Sequence, residues 1–156
     1  MTIGTAQERF RQLLRDQLAP SLRAMGFKGS GQEFVLPNEE LWVLLGIQRS
    51  RWSDSKGLDF TVQLTVAHKK IWKALAESRG YGERPRSTRF YGPAIWQKRL
   101  GALLPGGADK WWPVHADTDL RALGTELVAA IGEYGLPALQ AQMSSTTNGD
   151  EDSYGG

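Results

Sequence analysis

The stretch from Leu58 to Val66 constrains the fold more than any other. Leu58, Phe60, Val62, Leu64 and Val66 alternate with Asp59, Thr61, Gln63 and Thr65. A period of two becomes one apolar and one polar face only in an extended strand. Such a strand expects a buried side and a side open to water. The remaining chain must therefore supply sheet neighbours and a layer that covers the apolar side.

Both can be found in the pattern. Phe34 to Leu36, the Pro37-Asn38 turn signal and the run from Leu41 to Ser50 predict a hairpin. Ahead of it, Phe10, Leu13, Leu14, Leu18, Leu22 and Met25 recur at three- and four-residue spacing, the stripe of an amphipathic helix. Thr5-Ala-Gln-Glu8 has the form of a capping box at its start, and Gly26 is placed to follow its C-cap. Pro20 falls within the stripe and should kink or restart the helix. Near the other end, Leu120, Leu123, Leu127, Ile131 and Tyr134 form a second stripe, with Asp117 or Thr118 as its expected cap and Gly135 and Pro137 as its expected end. Ile71, Trp72 and Leu75 predict a short helix, "DKWWPV" a short extended piece, and "AIWQKRLGALL" fits strand or helix by period alone. Two striped helices at opposite ends of an antiparallel sheet predict an α+β two-layer sandwich, with both helices on one face. The expected domain spans residues 1–143; residues 144–156, acidic and almost without apolar content, are expected to be a disordered tail.

Few catalytic classes find support. There is no cysteine, hence no thiolate chemistry and no disulfide. His68 and His115 stand far apart, in no metal-ligand spacing, and His68 is expected at the rim or core of the strand end. Asp117 and Asp119 are accounted for by capping and by the helix dipole. The glycines of "GFKGSG" follow a helix, the reverse of the order that cradles a phosphate. No serine sits in a nucleophile-elbow motif. No enzyme activity, cofactor or metal is expected. With no long apolar run and a polar N-terminus, neither a membrane association nor a secretory signal is expected, which leads to an expected cytoplasmic location.

Charge is the more informative signal. The chain has a net charge of +2, yet residues 69–99 hold nine lysines and arginines against two glutamates. Within them, residues 79–93 carry three glycines and two prolines and predict a long exposed basic loop with interspersed aromatics. Arginine and aromatic side chains are what protein interfaces use most heavily. They also serve nucleic-acid surfaces, through phosphate pairing and base stacking. The expected partner surface comprises Arg49, Arg51 and Trp52 together with Arg79, Tyr81, Arg84, Arg86, Arg89, Phe90 and Tyr91. Trp111 and Trp112 must point to opposite faces if extended, so they cannot form one stacking platform; one is expected in the core.

"LRAMGFKGSGQEF", "IQRSRWSDSKGLDFTVQLTV", "WQKRLGALLP" followed by "DKWWPV", and "TDLRALGTELVAAIGEYGLPAL" occur in that order. In this combination the chain resembles the bacterial "domain of unknown function 4304" family over roughly residues 8–143. The resemblance implies an α+β fold and favours a strand in "AIWQKRLGALL"; it carries no catalytic residues over. The expectation is a non-enzymatic protein-binding module of a bacterium. By analogy with small domains that accompany secreted toxins, it would be an immunity protein that neutralises a toxin. A basic body calls for an acidic protein partner. The alternative is a nucleic-acid-binding accessory protein using the basic loop 79–93.

Overall fold

The computed structural model describes residues 5–51, 53, 54 and 56–154, with side chains to residue 145. Thr5 accepts the N–H of Glu8 (3.2 Å) and caps α1, Ala6–Leu13. A π turn, Leu14–Leu18, then leads into α2, Ala19–Ala24. Pro20 restarts the helix without breaking its apolar stripe, and the means is the π turn. Ala19 donates to the Leu14 carbonyl five residues back, widening the backbone where Pro20 has no N–H to give and its ring needs room. Gly26 follows the Met25 C-cap with φ +105°.

Six strands form one antiparallel sheet. They are β1 (Lys28–Ser30), β2 (Glu33–Val35), β3 (Leu41–Arg49), β4 (Gly57–His68), β5 (Trp96–Arg99) and β6 (Trp112–His115). The order is β1-β2-β3-β4-β5, and β6 pairs with the other half of β4. The expected hairpin is β2–β3, its turn closed by Asn38 Oδ1 accepting from the N–H groups of Glu40 and Leu41. "AIWQKRLGALL" divides into β5 and a single helical turn, α4 (Leu100–Leu103).

The apolar face of β4 is buried as its pattern requires. Leu58, Phe60, Val62, Leu64 and Val66 pack with Phe10, Leu13, Leu18, Leu22, Leu127 and Ile131 from both terminal helices. The second of these helices is α5 (Leu120–Ala130), a π turn (Ile131–Gly135) and α6 (Leu136–Tyr154). Two expectations are corrected here. The cap is Asp119, whose Oδ1 accepts from Ala122 N–H, while Thr118 Oγ1 closes the preceding turn by accepting from His115 N–H. Gly135 and Pro137 do not end the helix: Leu136 donates to the Ile131 carbonyl, and the π turn again admits a proline one residue later. The backbone is helical to Tyr154, and among the residues whose side chains are described Met143 is the last apolar one packed on the core.

Beyond Asp59, which is exposed, the polar face of β4 is not open to water. Thr61, Gln63 and Thr65 are buried. Helix α3 (Lys69–Arg79) and the chain after it fold back over this side and form a second, smaller cluster of Ala67, Trp72, Ala76, Tyr91 and Ile95. Among the described residues no helix is long and apolar enough to cross a membrane.

Candidate functional site

Of the exposed loop expected over residues 79–93, Arg79 belongs to α3, and the segment from Gly80 to Ile95 is fastened to the sheet at several points. Gly80, left-handed at φ +72°, ends α3 and turns the chain back. Trp72 Nε1 then donates to the carbonyls of Gly82 (3.2 Å) and Glu83 (3.0 Å). Tyr81 stacks on Trp72 and Tyr91 meets both rings edge-on, with centroids 4.8–5.6 Å apart. The Arg89 guanidinium sits 4.9 Å from the Tyr81 ring and 5.4 Å from the Tyr91 ring, within range for cation–π attraction. The Tyr91 hydroxyl accepts the Arg86 N–H, and the Gln97 side chain on β5 bridges Tyr91 N–H and the Arg89 carbonyl. On β2, on the same face of the sheet, Glu33 Oε1 accepts the Ser87 N–H (3.3 Å), and Arg84 lies 3.9 Å from the same carboxylate.

Ser87 is buried directly on Gly46 of β3. A Cβ at that glycine would stand 2.4 Å from Ser87 Oγ and 2.7 Å from its Cβ. A glycine inside a strand often marks such an approach by another piece of backbone; here it seats the loop on the sheet.

Between the fastened loop and β2–β3 runs a cavity of ≈ 750 Å³, lined among others by Gln32, Gln48, Arg49, Arg84, Arg86 and Thr88. A second depression of ≈ 720 Å³ is lined by Gln48, Arg49, Arg51, Asp59, Arg99 and Trp111 among others. Gln48 and Arg49 line both, so the two depressions adjoin at the end of β3 and are taken together as one groove. Arg51, Arg84, Arg86 and Arg99 border it, interspersed with the carboxylates of Glu33, Glu83 and Asp59. Arg99 is held in place from two sides: Nη1 pairs with Asp109 at 2.9 Å, and the guanidinium lies 5.1 Å from the Trp111 ring. Trp111 Nε1 donates to the same Asp109. Trp112 faces the other way, into the core against Phe60, which separates the two tryptophans as their extended backbone requires.

The surface expected from the sequence is thus divided. Arg51, Arg84 and Arg86 border the two depressions; Arg49 adds to their lining, but its pairing with Phe60 turns its side chain to the helix side of the sheet, where the guanidinium lies 6.0 Å from the Phe10 ring. Arg79, at the end of α3, borders neither depression. Tyr91 is buried, Tyr81 half-buried, and Arg89 is engaged by both, so these three hold the loop's shape. Phe90 is 74% exposed at the loop's surface. Trp52 lies outside the described residues. Gln48, Arg99 and Trp111 belong to the groove without having been expected there; the pairing of Gln48 with Thr61 and of Arg99 with Gln63 places both on the polar face of the sheet. The histidines serve elsewhere: His68 Nδ1 caps α3 by accepting from Lys70 N–H, and His115 Nδ1 lies 3.4 Å from the Lys56 carbonyl. Among the described residues, no group of three or more acidic or histidine side chains is placed to hold a metal ion.

With fold and groove in view, comparison with known proteins adds one finding. The sequence pattern of the domain of unknown function DUF4304 matches residues 18–141. The chain belongs to the DUF4304 family. No curated protein and no solved structure matches it. The match spans α2 to α6, so the sheet, the fastened loop and every arginine of the groove lie within the DUF4304 region.

Proposed function

We propose that this DUF4304 protein is a non-enzymatic protein-binding module that holds an acidic partner in the groove on the polar side of its sheet. One observation carries the reading. Arginines from three separate stretches, Arg51, Arg84 with Arg86, and Arg99, border adjoining depressions whose walls are already fixed by internal hydrogen bonds and ring contacts. A site ordered before binding loses little side-chain and loop entropy on association, and arginine is the cation best suited to bidentate carboxylate pairing. A bacterial, cytoplasmic role in neutralising an acidic toxin is consistent with this surface.

The nucleic-acid alternative fits less well. Glu33, Glu83 and Asp59 interrupt the arginines and would repel phosphates. Tyr91 is turned inward and buried, where it cannot stack on bases. The decisive test is capture from the host lysate by the wild-type protein and by an Arg51→Ala/Arg84→Ala/Arg86→Ala variant, each with and without nuclease. A stoichiometric protein that survives nuclease and is lost with the variant supports the reading. Nuclease-sensitive retention of nucleic acid alone overturns it.

A further inference from the structure

Phe90 is the most exposed large apolar side chain among the described residues. A lone ring in water is ordinary on a protein surface. What sets this one apart is its backbone. The Gln97 side chain holds the peptide groups on both sides of it: Nε2 donates to the Arg89 carbonyl, and Oε1 accepts the Tyr91 N–H at 2.8 Å. The same Nε2 donates to Oγ1 of the buried Thr65 at 3.3 Å, which ties this clasp to β4. The flanking side chains are engaged as well, Arg89 over the rings of Tyr81 and Tyr91, and Tyr91 within the smaller core cluster. The freedom left to Phe90 is that of its own side chain.

A ring presented in this way gains by being covered and gives up little in return. The loop around it is already ordered, and an aromatic side chain has only two torsions to lose. Its place says what should cover it. Thr88, two residues earlier, lines the depression that Arg84 and Arg86 border. Two steps from Cα to Cα span at most about 7.6 Å, so Phe90 stands at the margin of the groove. The complementary surface is an apolar pocket with carboxylates beside it. A membrane surface is met by a broad apolar face backed by cations, whereas here Glu33 and Glu83 stand among the arginines. A second copy of the chain would bring a second set of arginines against the first.

We infer that Phe90 is the apolar anchor of the partner interface, seated in an apolar pocket of an acidic protein whose neighbouring carboxylates pair with Arg84 and Arg86. This rests on the reading of the groove as a protein-binding site, and adds to it the residue that supplies affinity where the charges supply orientation.

The test uses the whole protein with a benzophenone-bearing phenylalanine in place of Phe90, irradiated in the host lysate. Beside it stand Phe90→Ala, Phe90→Met, the Arg51→Ala/Arg84→Ala/Arg86→Ala variant, and vesicles of phosphatidylglycerol. The cross-link is expected on the protein that the wild type captures, at apolar residues next to aspartate or glutamate. Phe90→Ala should bind that protein roughly 10- to 100-fold more weakly, the range for leaving a phenylalanine ring unburied. Its melting temperature should move by no more than about 2 °C, because the ring is already in water. Phe90→Met should recover much of the affinity, as an apolar contact allows. Equal affinity of wild type and Phe90→Ala, with binding lost in the arginine variant, overturns the anchor and leaves the groove reading standing. Binding lost in Phe90→Ala but kept in the arginine variant overturns the groove reading, and with it the acidic pocket inferred here. A cross-link confined to a second copy of the chain, or to lipid with retention on the vesicles, overturns the inference. Capture of no protein by the wild type overturns both.

Discussion

Gly46→Ala separates a loop fastened to the sheet from one that merely passes over it. In an open strand this change removes a flexible residue and stabilises by about 0.5–1 kcal/mol. Here the new methyl would stand 2.4 Å from Ser87 Oγ, 2.7 Å from its Cβ and 3.0 Å from its carbonyl carbon. Comfortable carbon contacts begin at about 3.5 Å, so Ser87 must retreat by about 1 Å. It cannot do so alone, because its N–H is held by Glu33 and the next N–H back in the chain, that of Arg86, by Tyr91. Overpacking of this kind costs about 1–3 kcal/mol, and three atoms so close argue for the upper end. After subtracting the backbone gain, the net loss is about 2 kcal/mol, or a fall in Tm of roughly 4–8 °C for a domain of this size. Thermal unfolding followed by near-ultraviolet circular dichroism measures it. Adding Ser87→Gly removes the Oγ and Cβ contacts but not the carbonyl one, so the double variant should melt above Gly46→Ala yet below wild type. A Gly46→Ala protein that melts above wild type would refute the packing of the loop on β3.

Three other outcomes are expected. Asp119→Ala should cost about 1 kcal/mol through loss of the α5 cap, whereas Asp117→Ala, exposed and outside the helix, should change the denaturation midpoint by less than about 0.5 kcal/mol-equivalent. Trp112→Ala should cost about 3–5 kcal/mol by emptying a fully buried site, while Trp111→Ala, on the groove side, should leave stability nearly unchanged and loosen Arg99; urea unfolding of the pair tests the assignment of faces. The N–H groups of Gly57 and then Lys56 hold the Asp54 carboxyl below its ordinary value of 3.8. The stabilisation it gives the turn between β3 and β4 is therefore fully present above that value and lost as pH falls through the lower folded one; the amide resonances of Lys56 and Gly57 should shift with a midpoint below 3.8.

How far the sequence reveals this structure depends on the range of the signal. The apolar stripes of α1–α2 and α5, the β2–β3 hairpin and the alternation of β4 rest on neighbours in the chain, and each is found where its spacing puts it. The two proline signals carry the right place and an incomplete meaning. Pro20 and Pro137 each follow a π turn, because the five-residue hydrogen bond before them lets the helix continue, and that bond leaves no trace in residue types. The groove is less legible still. Arg84 stands out as basic, but its place beside Gln48 depends on Ser87 settling on Gly46 across about forty residues of chain.

One signal for that covering was present in the strand itself. An outward face bathed in water would be expected to carry long charged side chains, whereas β4 offers Thr61, Gln63 and Thr65, which can be buried if their hydrogen bonds are met. Two of them demonstrably are: Thr61 Oγ1 donates to the Lys110 carbonyl, and Thr65 Oγ1 accepts from Gln97. The polar alternation therefore marks a face meant for a hydrogen-bonded cover and not for solvent. That distinction bears on function, because the cover over this face is also one wall of the groove. Residues that fasten it, such as Gly46, Tyr91 and Gln97, should affect stability and binding together. Arg51 and Arg86 have no side-chain part in fastening the loop among the described residues and should affect binding alone. A set of arginine variants with lowered partner affinity and unchanged melting temperatures would thus locate the binding surface on the groove, independently of what the partner is.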